Sequence, residues 1–149
     1  MSTPMSPYLE GNFAPIREEI TIDNLTIIGE LPREINGMFV RNGPNPQFEA
    51  VGTYLWIEGD GMLHGVRLQE GKASYCNRYI NTFCFEKEHE AGEALWGSMA
   101  DKINWRQIIR PPHGQLIKNP ANTALTWHYG RLLALWEMGP PHEISVPGL

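Results

Sequence analysis

Glycine and proline punctuate this chain so densely that it must turn often. Fifteen glycines and twelve prolines are spread over 149 residues, and the stretches between them are short runs of β-branched and aromatic residues. An all-β architecture follows from that pattern. Apolar residues make up 42% of the chain, enough for one ordinary core and hardly two, so a single domain is expected. Acidic residues outnumber basic ones 17 to 12, for a net charge of −5. With no Lys/Arg run able to follow a phosphate backbone, nucleic acid is not expected as a partner.

Cys76 and Cys84 lie eight residues apart with no CxxC spacing, which fits reduced, packed thiols better than a disulfide framework or a zinc site. The N-terminus has neither a basic region nor an apolar one, and no stretch approaches 18 uninterrupted apolar residues. The expectation is a cytoplasmic protein that does not span a membrane.

Along the chain, residues 1–17 are rich in Ser and Pro without apolar periodicity and read as an extended arm ordered by what it lies on. Strands are expected over residues 21–28 and 37–41, the second running into the loop Asn42-Gly43-Pro44-Asn45-Pro46. Residues 53–57 read as a strand that Gly59-Asp60-Gly61 turns into residues 62–68, with Glu70-Gly71-Lys72 leading on into residues 73–80. That predicts a three-stranded meander. From Phe83 to Ile109, Leu95, Met99 and Ile103 recur at helical spacing with Glu93, Asp101, Lys102 and Arg106 between them, predicting a helical insertion over residues 83–110 as one helix or two short ones. Pro111-Pro112 ends it. Residues 123–128 and 131–137 form a further hairpin hinged at Tyr129-Gly130. Short strands joined by short turns suit a sandwich, a barrel or a propeller, and composition alone does not choose among them.

The five histidines, His64, His89, His113, His128 and His142, could be metal ligands only if separate strands brought them together. The plainer reading makes His64 and His128 strand residues with satisfied hydrogen bonds and leaves the others in loops. Gly59-Asp60-Gly61 lacks the Lys-Ser/Thr of a phosphate loop, so it reads as a tight turn stabilised by the Asp60 side chain. Alternation puts Glu137 on the face of Leu133 and Leu135, a face expected to be buried. A carboxylate there needs a partner, such as Arg, a backbone donor or a metal-bound histidine; otherwise Glu137 is an exposed strand-end residue. Trp96 and Trp105 flank a segment that could pack in the core or rest on a lipid surface.

Several of these motifs together resemble a known family. Tyr8-Leu9-Glu10-Gly11-Asn12-Phe13-Ala14-Pro15, then Gly29-Glu30-Leu31-Pro32 with Asn36-Gly37, then Arg41-Asn42-Gly43-Pro44-Asn45-Pro46, resemble the opening of the carotenoid cleavage oxygenases. Tyr54-Leu55-Trp56 with Gly59-Asp60-Gly61-Met62-Leu63-His64, and Asn77-Arg78-Tyr79 with Thr82, look like the next blocks. Asn119-Pro120-Ala121-Asn122-Thr123 and Leu132-Leu133-Ala134-Leu135-Trp136-Glu137 resemble a further signature. The likeness runs from about Tyr8 to Ile144.

The resemblance implies a seven-bladed β-propeller whose axis carries ferrous iron on four histidines. Such an enzyme splits a carbon–carbon double bond of a carotenoid, apocarotenoid or stilbene with dioxygen. Members are roughly three times this length, and all four ligand positions lie beyond the point matching Leu149. The implied architecture is all-β with a short helical insertion, a partial propeller of about the first two blades plus the arm, with residues 1–149 as the N-terminal portion of one domain. No residue of this chain is then expected to be catalytic or to hold metal. Glu137 matches one of the glutamates that accept a hydrogen bond from an iron-bound histidine, and Glu93 to Ile109 lies where relatives dip into membrane, implying peripheral membrane contact.

The leading expectation is an N-terminal fragment of a non-haem iron(II) dioxygenase acting on a lipophilic polyene or stilbene, inactive alone because Fe(II) has no ligands here. The alternative is a non-catalytic β-rich module that holds a lipophilic ligand. A third reading is a small metalloprotein built from the five histidines.

Overall fold

The computed structural model describes residues 6–50, 52–101 and 109–145. Its first sheet is built from β1 (Thr21–Ile22), β2 (Gly37–Pro44), β3 (Gly61–Gln69) and β4 (Lys72–Tyr79), in the order β1-β4-β3-β2. β3 and β4 form a hairpin from Met62 opposite Tyr79 to Gln69 opposite Lys72. Glu70 and Gly71 carry it round with positive φ of 52° and 74°, the twist that matches a two-residue turn to right-handed strands. On the other side β3 pairs with β2, from Gly37 opposite Leu68 to Pro44 opposite Gly61. β2 is an edge strand, where a proline costs no ladder bond on its open side.

A meander is therefore present, but its first strand is β2 rather than residues 53–57. That segment has the aromatic and β-branched composition of a strand, yet Trp56–Glu58 is a turn of 3-10 helix. Its acceptors are taken from outside the sheet. Asn122 Nδ2 donates to the carbonyls of Ile57 (2.8 Å) and Gly59 (2.6 Å), and Asn45 N donates to Asp60 O at 2.7 Å. Gly59-Asp60 is thus a corner and not the hinge of a hairpin. The expected strand over residues 21–28 shrinks to Thr21–Ile22 on β4, and Ile28 is 99% exposed.

The helix α1 (Phe83–Ala91) starts at Thr82, whose side chain accepts from Phe85 N, and stops at Gly92 in the left-handed region. It covers the first part of the insertion expected over residues 83–110 as one helix or two short ones, and Ile109 is helical again. Leu95 and Met99 follow helical spacing but lie in irregular backbone, because the N–H groups of Leu95 and Trp96 turn back to the Glu88 carboxylate. Lys102, Ile103, Trp105 and Arg106 fall outside the described residues.

The second sheet holds β5 (Ala124–His128), β6 (Arg131–Leu135) and β7 (His142–Ile144) in that order. The β5–β6 turn is at Tyr129-Gly130, as the sequence indicates, with φ of 49° and 78°. β7, which follows Pro140-Pro141 and pairs with β6, was not anticipated. The two sheets share a core of Leu63, Ile80, Ala121 and Ala134, against which Val40, Leu125 and Ile144 pack. Both cysteines are free and buried.

Gly61 sits where the sheets meet. Its N–H donates to Pro120 O at 2.8 Å, and an added Cβ would lie 2.7 Å from Pro120 O, 2.9 Å from Ala121 O and 2.9 Å from Ile80 Cδ1. Two of those three atoms are backbone and cannot swing aside. Gly61→Ala is expected to lower unfolding free energy by about 1–3 kcal/mol, read as a drop in the denaturant midpoint without a change of slope.

Candidate functional site

Three charged side chains close together behind the Gly59-Asp60 corner. Lys118 Nζ lies 2.7 Å from Asp60 Oδ1 and 2.5 Å from Glu88 Oε2. Asp60 is 2% exposed and Glu88 is 1% exposed. Each element contributes one group: Asp60 ends the corner before β3, Glu88 faces inward from α1, and Lys118 precedes the Asn119-Pro120 turn. The remaining carboxylate oxygens are also engaged. Glu88 Oε1 accepts from Leu95 N (3.0 Å) and Trp96 N (3.4 Å), and Asp60 Oδ2 accepts from Gln47 N (3.1 Å). Burial pulls the Lys118 ammonium down, but Asp60 and Glu88 outweigh it and hold its pKa above the ordinary lysine value. Asp60 was expected to steady its own turn; instead it ties Gln47 to Lys118. Nothing in the sequence singled out Glu88 or Lys118.

The three charges form part of the lining of a cavity of 490 Å³. Tyr54, Ile57, Trp96, Met99, Leu116 and Trp136 supply apolar wall, and Glu58 and Asp101 add two further carboxylates. Glu58 Oε1 accepts from Ser98 Oγ (3.0 Å) and Met99 N (2.6 Å), and Asp101 accepts from Thr53 N. Tyr54 stays protonated, its pKa pushed up to about 12 by burial and by the Asp60 and Glu58 charges. An apolar enclosure with a few fixed polar groups is the usual form of a small-molecule site.

Glu137 lies outside this cavity, just past the end of β6, and is exposed. The face expected to be buried is the wrong one: Ala134, on the opposite face, is fully buried and sits in the shared core. Glu137 Oε2 accepts from Thr123 Oγ1 at 3.1 Å, which holds it across the neck of the β5–β6 hairpin. Trp96 is 7% exposed and donates its indole N–H to Gln115 O at 2.8 Å, so it packs inward rather than toward lipid. No helix among the described residues is long and apolar enough to cross a membrane.

The histidines are scattered. His64 Nδ1 meets the Tyr75 hydroxyl at 2.8 Å, and burial together with Arg41 keeps its pKa low. His89 Nδ1 lies 3.3 Å from Gln47 Oε1, His113 lies edge-on to Phe83 and tilted against Trp96, and His128 is exposed. Among the described residues no group of three or more His, Cys, Asp or Glu side chains is placed to hold a metal ion. A four-histidine iron centre therefore does not fit these residues.

Comparison with known proteins places this geometry. The profile of the family described as Retinal pigment epithelial membrane protein matches residues 13–149. Carotenoid 9,10(9',10')-cleavage dioxygenase 1 of Arabidopsis thaliana is 42% identical over 93% of this chain, and the match covers 28% of that protein. Resveratrol cleavage oxygenase 1 of Aspergillus fumigatus is 36% identical over 95% of this chain and 28% of its own length. The crystal structure of Pseudomonas brassicacearum lignostilbene dioxygenase superposes with a TM-score of 0.81 at 30% identity, over 98% of this chain and 30% of that one. The chain thus spans under a third of these relatives, and its two sheets correspond to part of their β-propeller.

Proposed function

The chain belongs to the retinal pigment epithelial membrane protein family, which is the carotenoid cleavage oxygenases, and on that footing we propose that it forms the first blades of a non-haem iron(II) dioxygenase. The reaction is oxidative cleavage of a carbon–carbon double bond in a carotenoid, apocarotenoid or stilbene, with dioxygen as co-substrate. One observation carries this reading: identity of 42% to a carotenoid dioxygenase extends over 93% of the chain. The cavity beside Lys118 supports it, because its aromatic and aliphatic walls suit a lipophilic polyene or stilbene.

Iron would bind and activate oxygen, and we place its ligands outside the described residues, among which no group of three or more His, Cys, Asp or Glu side chains gathers. What the chain offers instead is Glu137, whose position beside Thr123 suits an acceptor that orients a histidine supplied by the rest of the protein. Contact with a lipid surface through Glu93 to Ile109 belongs to the same proposal, supported by the exposure of Met99 and Ile109.

The test compares two samples. The chain alone is expected to hold less than about a tenth of an equivalent of iron after dialysis and to consume no oxygen with a carotenoid or stilbene. The product made by the native cell, captured by an antibody to the Arg41 to Pro46 region, is expected to be about three times the calculated 16.9 kDa and to carry the cleavage activity. A native product of 16.9 kDa without iron or activity would overturn the proposal. It would favour the second reading, a β-rich module using the 490 Å³ cavity to hold a lipophile.

A further inference from the structure

The first sheet is packed on one face and largely open on the other. Val40, Leu63 and Ile80 face the second sheet and belong to the shared core. On the opposite face, cross-strand register lines up Phe39, Val66, Tyr75 and Ile22 in one row through all four strands. Phe39 is 65% exposed and Ile22 is 41% exposed. Asn77 fastens the arm over the Met62 end of this face, and the Phe39 row lies beyond it. The row between sets Arg41 opposite His64, whose Nδ1 meets the Tyr75 hydroxyl. Burial and the Arg41 charge keep His64 neutral, so Arg41 is the one charge that the strands place on this face. They place no Asp or Glu there. The ion pairs among the described residues are Lys87–Glu90, Lys118 with Asp60 and Glu88, and Arg131–Glu143, and none includes Arg41.

An apolar row of this extent marks a surface that packs against something, and the guanidinium beside it decides what. Covering Arg41 with apolar groups alone would strand its charge, whereas a carboxylate matches its fork of N–H donors. A second copy meeting the same face by two-fold symmetry brings the same side chains. It would set Arg41 toward Arg41 and supply no carboxylate. The chain spans under a third of the relatives it matches, which leaves ample polypeptide to supply the missing layer. We propose that this face is covered by a later part of the same polypeptide, an apolar surface that sets one Asp or Glu carboxylate against Arg41. This rests on the chain being the opening of a longer protein, as proposed above, and adds the chemistry of the surface that meets it.

The test puts one substitution into two contexts. In the 149-residue chain, where Arg41 is exposed, Arg41→Gln is expected to move the thermal midpoint by less than about 2 °C. In the long native product it strands a buried carboxylate and is expected to lower the midpoint by about 5 °C or more. Arg41→Lys then identifies the partner, because it keeps the cation and supplies an amine. A water-soluble carbodiimide activates a neighbouring carboxylate, the amine attacks it, and an amide forms with release of the urea. Digestion and mass spectrometry of the treated long product are expected to join position 41 to an Asp or Glu beyond residue 149. A link within residues 1–149, or none, overturns the inference, as does an equal midpoint shift in the two contexts. A link between two copies, seen as a doubled mass, gives the face to a second copy and overturns it too. All these failures leave the long product intact as a reading. A native product of 16.9 kDa overturns the inference and that reading together.

Discussion

Lys118→Met is expected to cost about 3–5 kcal/mol, because it leaves two buried carboxylates without their cation. Asp60 and Glu88 are 2% and 1% exposed, too deep for water to take over. A domain of this size holds about 5–15 kcal/mol in total, so the substitution removes a large share of its stability. The same loss is not expected when the charges leave together. In a chain carrying Lys118→Met, Asp60→Asn and Glu88→Gln, the amide oxygens keep the bonds to Gln47 N, Leu95 N and Trp96 N with no charge stranded. Urea denaturation of the single and triple variants checks this, with recovery of most of the lost midpoint in the triple. An equal loss in both would show that packing, and not the uncompensated charge, sets the cost. The pH dependence follows from the direction of the lysine shift. Since Lys118 holds its proton above its ordinary value of 10.5, its contribution is complete below that pH and is lost as pH rises through the folded value. Alkaline destabilisation above about pH 10.5 should thus be steeper in the native chain than in Lys118→Met.

Why the triad escaped the sequence, when two hairpins did not, is a matter of range. The Glu70-Gly71 and Tyr129-Gly130 turns sit between strands that pair with their immediate neighbours, so composition and position agree within a dozen residues. Lys118 meets partners 58 and 30 residues away, and Glu88 is one acidic residue among several on a polar helix. Nothing local marks which one turns inward. Residues 53–57 misled for the complementary reason. Their composition suits a strand, but the Asn122 side-chain amide takes the carbonyl of Ile57 and that of Gly59 beyond it, and the main chain of Asn45 takes that of Asp60. Strand β7 is only three residues long, below the length at which alternation can be read. For Glu137 the alternation held but the choice of buried face was wrong, since Ala134 rather than Leu133 and Leu135 meets the first sheet. The motif resemblance was not subject to these limits, because it reads many short segments in register at once.

Asn77→Ala is expected to release the N-terminal arm while the β3–β4 hairpin stays folded. Asn77 is 1% exposed and imitates a strand edge with its side chain. Its Oδ1 accepts from Ile20 N at 2.7 Å, and its Nδ2 donates to Glu18 O at 2.8 Å. Asn45 repeats the device on Ile16, accepting from its N–H and donating to its carbonyl, each at 2.8 Å. Alanine leaves those arm groups unpaired, at about 1–3 kcal/mol for each buried group. The arm can limit that cost by peeling away into water, so the measured loss is capped by the free energy of docking the arm. The readout is therefore local: trypsin should cut at Arg17 well below the global unfolding midpoint, faster than in the native chain. Uniform loss of stability with Arg17 still protected would mean that Asn77 acts through the β3–β4 pair instead. Release of the arm should also reach the charged cluster. Arg17 donates to the carbonyls of Pro46 (3.1 Å) and Gln47 (2.6 Å), and Gln47 N donates to Asp60. An arm that leaves takes with it the clamp on the loop that presents Gln47, so the carboxylate beside Lys118 loses a donor without any change in its own residue. Combining Asn77→Ala with Lys118→Met should then cost less than the sum of the two, as expected for groups that share a partner.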